Sequence, residues 1–126
     1  MSALVVDTSS WVSYLAGRGS DLIDEALREG RALLPAVVAA ELLSGKLSRK
    51  DRSDLQDLLS DLPLCGTDHS HWFRVGDLRA RLLSKGLAVS TPDAHVAQCA
   101  LDVGGALLTE DRVFRLVARH LPLVLA

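Results

Sequence analysis

Two short apolar runs, Ala3–Val6 and Ala106-Leu-Leu before Thr109, each pass straight into polar residues that open a helical stripe. This junction constrains the fold more than any other feature. A run of three or four aliphatic residues without alternation suits a strand buried on both faces, as in a parallel sheet. Each run is then followed by helix-start residues: Thr8, Ser9 and Ser10 after the first, Glu110 and Asp111 after the second. Strands that feed helices in this way imply right-handed βαβ crossovers and helices on both faces of a mostly parallel sheet.

The intervening segments fit the same scheme. Trp11, Val12, Tyr14 and Leu15 form a stripe closed by Gly17, and Asp21–Glu29 predicts a second helix that Gly30 stops. Arg31–Leu34 reads as a second strand. Pro35 suits the first turn of a helix that runs through Ala36-Val-Val-Ala-Ala-Glu-Leu-Leu to Ser44-Gly45. A linker, Lys46–Arg52, leads to a helix with Leu55, Leu58 and Leu59 at helical spacing. Pro63-Leu-Cys65 is a short strand or connector, and Asp68–Ser84 a longer helix. Ser90-Thr91-Pro92-Asp93 carries a cap, a first-turn proline and a first-turn acid for a helix reaching Val103. Leu121–Leu125 closes the chain as an edge strand, since Pro122 cannot donate to a central ladder.

Ligands of such sheets bind beyond the carboxyl ends of the strands, where strand order reverses. Asp7 and Asp111 fall there directly. Asp93 joins them if Ala88-Val-Ser-Thr runs up to the same rim. Glu41 lies mid-helix among Ala and Val, with no obvious exposed side. Singly, each acid is explained as a turn or helix-dipole residue. Together they repel one another unless a cation neutralises them, and an all-carboxylate set selects Mg²⁺ or Mn²⁺ rather than zinc.

Other chemistries find less support. His69, His71, His95 and His120 contain no H-x-x-x-H pair, so their spacing speaks against zinc, and Cys65 and Cys99 read as buried free thiols of a reducing cytosol. No phosphate-loop or dinucleotide fingerprint is present, which argues against a nucleotide cofactor. Asp7 interrupts the first apolar run too early for a signal peptide, and no stretch has a membrane span's length. A soluble cytoplasmic protein is expected. With 14 Lys and Arg against 16 Asp and Glu the net charge is −2, which alone speaks against a nucleic-acid binder. Setting the four acids aside reverses the sign, and two basic stretches then stand out: Lys46, Arg49, Lys50 and Arg52, followed by Arg74, Arg79, Arg81 and Lys85.

Val5-Val-Asp-Thr-Ser-Ser-Trp11, Pro35-Ala-Val-Val-Ala-Ala-Glu41, Thr91-Pro-Asp93-Ala-His-Val-Ala and Leu108-Thr-Glu-Asp111-Arg-Val-Phe114 resemble, in order and spacing, the four acidic signatures of PIN-domain ribonucleases. The length and whole-chain match are similar to VapC-type toxins. The resemblance implies one α/β domain over residues 1–126, a three-layer α/β/α sandwich with four or five mostly parallel strands. It also implies a Mg²⁺- or Mn²⁺-dependent endoribonuclease restrained by a VapB-type antitoxin, and a homodimer. Asp7, Glu41, Asp93 and Asp111 match the catalytic and metal-binding acids, with Glu110 as the alternative to Asp111. Ser9 and Thr109 match supporting hydroxyls. His95 stands where an aliphatic residue is commoner in the family. RNA phosphates would meet Lys46, Arg49, Lys50, Arg52, Arg79 and Arg81. An antitoxin would lie in an apolar groove for which Trp11, Leu15, Leu55 and Leu58 are candidates. Two other readings stay open: a housekeeping RNA-processing nuclease, and a non-catalytic PIN-like module that binds RNA or protein.

Overall fold

The computed structural model describes residues 2–126. The elements run β1 (Leu4–Val6), α1 (Thr8–Leu15), α2 (Asp21–Arg28), β2 (Ala32–Pro35), α3 (Ala36–Leu43), α4 (Arg49–Ser60), β3 (Leu64–Cys65), α5 (His69–Ser84), α6 (Thr91–Val103), β4 (Ala106–Leu108), α7 (Val113–Ala118) and β5 (Val124–Leu125). All five strands are parallel, in the order β3-β2-β1-β4-β5.

The chain therefore builds outward from β1 to β2 and β3, then returns to β1's other side for β4 and β5. The switch point lies between β1 and β4, where Leu4, Val5 and Val6 pair with Ala106, Leu107 and Leu108. Successive side chains of a strand point to opposite faces, yet all three residues of β1 are buried. Both faces of the sheet are thus covered, giving the three-layer arrangement. Close approach at this junction needs a residue without a side chain at Gly105, where a Cβ would collide with the Ala3 carbonyl.

Helix starts follow their caps. Ser20, Ser48, Asp68 and Ser90 each accept from the backbone N–H three residues on, fixing the first turns of α2, α4, α5 and α6. Residues Ala94 to Ala100 of α6 are all buried, so this helix is surrounded by protein rather than amphipathic.

Four sequence expectations are adjusted. The strand expected over Arg31–Leu34 extends through Pro35, whose extended backbone precedes α3 rather than occupying its first turn. The expected linker Lys46–Arg52 is half helical, because the Ser48 cap starts α4 at Arg49. Ala88 to Ser90 run unpaired to the start of α6. Trp11, expected in a surface groove, is fully buried, with its ring edge-on to Tyr14 at 5.8 Å between centroids. An eight-residue helix packed on the sheet cannot also offer its largest inward ring to a partner.

Candidate active site

Asp7 leaves β1 at the switch point and is buried. Its Oδ2 accepts from the Thr109 hydroxyl at 2.8 Å and from the Ser9 hydroxyl at 3.3 Å. The lone pairs of those hydroxyls are used as well. Thr109 Oγ1 accepts from the Asp111 N–H and Ser9 Oγ from the Glu110 N–H, both at 3.0 Å. Two hydroxyls so clamp the turn after β4 onto the carboxylate after β1. Burial raises the Asp7 carboxyl above its ordinary range; the bonds from Thr109 and Ser9 pull it down, and the Asp111 charge pushes it up again.

Asp93 sits in the first turn of α6, half-buried, its N–H donating to the Ser90 hydroxyl at 3.2 Å. Its carboxyl is raised as well, first by burial and then by the charges of Asp111, Asp7 and Glu41. Asp93 therefore feels all three other acids at once. Asp111 caps the next turn by accepting from the Val113 N–H at 3.1 Å. The Asp111 charge acts on both Asp7 and Asp93.

Glu41 departs from expectation in its surroundings. It is exposed, on a side of α3 that includes Ala40, so small side chains open the face that the apolar sequence concealed. Its Oε1 accepts from the Thr8 hydroxyl at 2.8 Å, which ties α3 to the first turn of α1. Sequence reasoning had read Thr8 only as a helix-start residue.

The donor set fits a hard divalent cation: four carboxylates with hydroxyls behind them, two of the acids crowded and partly desolvated. Among the described residues these acids do not bring three ligand atoms within 4.8 Å of one another.

The proposed phosphate-binding bases divide into two groups. Lys46, Arg49 and Arg81 are exposed, as is Lys85. The rest have protein partners. Arg52 donates to the Leu43 carbonyl and Arg79 to the Val89 carbonyl, each at 2.9 Å, while Lys50 pairs with Asp54 at 3.0 Å and Arg74 grips Asp102. Of the groove residues, Leu15, Leu55 and Leu58 do line one hollow of about 350 Å³, with Leu47, Asp51 and Asp54.

A buried polar network went unread. His71 Nδ1 lies 2.8 Å from Asp102 Oδ2, and His71 Nε2 lies 2.7 Å from His95 Nδ1. His95 stacks on Trp72 with centroids 4.5 Å apart. A signal existed in the spacing of His95 and Cys99, four residues apart on one helix face, but a search for paired histidines passes over it.

The PIN domain profile matches residues 4–120, and the chain belongs to the PIN domain family. Among particular proteins, it is 29% identical over 123 residues to a VapC ribonuclease of Mycobacterium bovis and to ribonuclease VapC11 of Mycobacterium tuberculosis, covering 92% of this chain and of each relative. In structure it resembles VapBC2 of Rickettsia felis bound to a promoter DNA fragment, with TM-score 0.78, 21% identity and coverage of 98% and 97% of the two chains. DNA-bound VapBC of Salmonella typhimurium aligns with TM-score 0.76 at 20% identity, over 99% and 96%.

Proposed function

We propose that this chain is a divalent-metal-dependent endoribonuclease and the toxin of a VapBC-type toxin–antitoxin pair. The observation that carries the reading is Asp93, half-buried at the start of α6, whose carboxyl is raised first by burial and then by the charges of Asp111, Asp7 and Glu41. Four acids gathered this way are unfavourable in isolation and become favourable around a cation. The relationship to the two mycobacterial ribonucleases supports the substrate class.

Asp7, Asp93 and Asp111 would hold Mg²⁺ or Mn²⁺, and Glu41 would serve as a further ligand or as the base that orients the attacking water. When bound, such a cation polarises the scissile phosphate and makes its own water a stronger acid. Ser9 and Thr109 keep Asp7 and the Asp111 turn in fixed register, and Thr8 aims Glu41. Lys46, Arg49 and Arg81 supply positive charge for the RNA backbone. The hollow at Leu15, Leu55 and Leu58 offers an antitoxin apolar contact, and its Asp51 and Asp54 favour a basic side chain there.

The test is cleavage of structured RNA by purified protein freed of antitoxin, with Mg²⁺, with Mn²⁺ and with chelator. The wild type is expected to cut with either ion, and the Asp7→Asn and Asp93→Asn variants to lose at least about a hundredfold. Equal cleavage by the variants, or none by the wild type on any RNA tried, would overturn the reading.

A further inference from the structure

We propose that Cys65, His71 and Cys99 form a second metal site, for a thiophilic divalent cation of the zinc class. One ligand atom from each residue lies within 4.8 Å of the other two, and Cys65 Sγ is 4.0 Å from His71 Nδ1. Zinc binds sulfur and imidazole nitrogen at about 2.0–2.3 Å, so ligands around it sit roughly 3.3–3.8 Å apart. Cys65 and His71 need to approach by only a few tenths of an ångström, and the widest pair of the set by at most about 1 Å. The sequence argument against zinc relied on spacing along the chain, whereas the fold brings these residues together from β3, α5 and α6.

Each ligand sits on a fixed element. Cys65 ends β3, paired with Pro35 of β2. His71 lies in the first turn of α5, its N–H donating to the Asp68 cap at 3.0 Å. Cys99 is fully buried in the middle of α6. A zinc site also needs a fourth donor and support behind its ligands. Solvent from the neighbouring hollow supplies the fourth donor, and the carboxylate beside the site is Asp102, which lies outside the three-atom cluster. Its Oδ2 is already 2.8 Å from His71 Nδ1, and the carboxylate is held by the Arg74 guanidinium at 2.8 and 3.0 Å and by the Gln98 amide at 2.8 Å. Two thiolates, one carboxylate, Arg74 and a dication sum to zero charge.

Access is present as well. A surface hollow of about 260 Å³ is lined by Cys65, Asp68, His71, Arg74 and Asp102, so an ion reaches Cys65 and His71 from solvent, with Cys99 buried behind them.

The Val37 N–H donates to His95 Nε2 at 3.3 Å, which assigns the His95 proton to Nδ1, facing His71 Nε2; His71 then carries its proton on Nδ1, towards Asp102. Loading releases the two thiol protons to solvent. It also moves the His71 proton to Nε2 and the His95 proton to its own Nε2, giving up the long contact with Val37. Ring charges stay neutral throughout.

The experiment uses the full chain, stripped with chelator in reducing buffer and loaded with Zn²⁺ in the presence of excess Mg²⁺, then desalted for metal analysis. The wild type is expected to retain about one zinc per chain, and Cys65→Ser to retain at least about tenfold less. Cys65 is only half-buried, so its serine variant keeps the fold, which far-ultraviolet circular dichroism verifies. In parallel, Co²⁺ is expected to give the intense near-ultraviolet thiolate-to-cobalt band in the wild type and not in Cys65→Ser, a signature carboxylates cannot produce. Equal zinc in both proteins, absence of the cobalt band, or a Cys65–Cys99 disulfide persisting under reducing conditions would overturn the proposal. None of these readouts involves RNA, so the result is independent of nuclease activity.

Discussion

Thr109 donates its hydroxyl proton to Asp7 at 2.8 Å across a sequence separation of 102 residues, and its lone pair accepts the Asp111 N–H. One side chain thereby aligns two of the four acids. Replacing it by the isosteric Thr109→Val leaves both groups without that partner. Cleavage is expected to fall about 10–100-fold with circular dichroism unchanged. A steady-state assay at saturating Mg²⁺ checks it, and activity within twofold of wild type would remove Thr109 from the site.

Crowded carboxylates cost stability when no cation is bound. The Asp93→Asn variant relieves the repulsion from Asp111, Asp7 and Glu41 and still fits the first turn of α6. Its metal-free Tm is expected to rise by roughly 3 °C while cleavage is lost, the usual opposition of stability and activity at a functional site. Thermal melts in chelator and in Mg²⁺ make the comparison, and the advantage over wild type should shrink once Mg²⁺ is added.

The hollow at Leu15, Leu55 and Leu58 contains none of the four acids. Leu15 is 47% exposed, so Leu15→Glu should alter stability by no more than about 0.5 kcal/mol. A carboxylate placed beside Asp51 and Asp54 is expected to weaken antitoxin binding at least about tenfold, with free-enzyme cleavage preserved. Calorimetric titration with the antitoxin, alongside the RNA assay, separates the two effects.

Exposed bases and structural bases should behave differently. Lys46→Ala and Arg49→Ala are expected each to reduce the salt dependence of RNA binding by about 0.7 in the log–log slope, the value for one single-strand phosphate contact. Arg52→Ala should instead lower Tm, since its guanidinium caps the Leu43 carbonyl at the end of α3. Binding isotherms at several salt concentrations, paired with melts, distinguish them.

Gly66 has φ of 93°, and a Cβ there would run into the His95 imidazole. The cost of Gly66→Ala combines left-handed strain with overpacking, about 2–5 kcal/mol in all. Gly17→Ala, at φ of 85° but with open space around it, should cost only the strain. Denaturant unfolding of the two variants reads the difference.

The architecture was legible because aliphatic runs and cap residues are local signals. Val5 and Val6, the Ser90 cap and the Gly104 stop can be read within a few positions of sequence. Asp7, Asp93 and Asp111 follow from the same logic, as they sit where strands end or helices begin. What could not be read depends on cross-chain packing. Trp11 looks like a surface anchor until the sheet is seen to cover it. Glu41 looks buried because its neighbours are apolar, although the alanine beside it makes its face of α3 shallow. Cys65, His71 and Asp102 meet only because β3, α5 and α6 do, and no spacing rule predicts their proximity.

The strand order has a temporal consequence. Asp7 follows the first strand and Asp111 belongs to the turn after the fourth, and β4 reaches β1 only after β2, β3 and six helices have been made. During synthesis, a ribosome carries most of this chain before Thr109 can dock on Asp7. Any chemistry that needs the four acids in register is therefore silent on the nascent polypeptide. It becomes possible only when β4 seats beside β1.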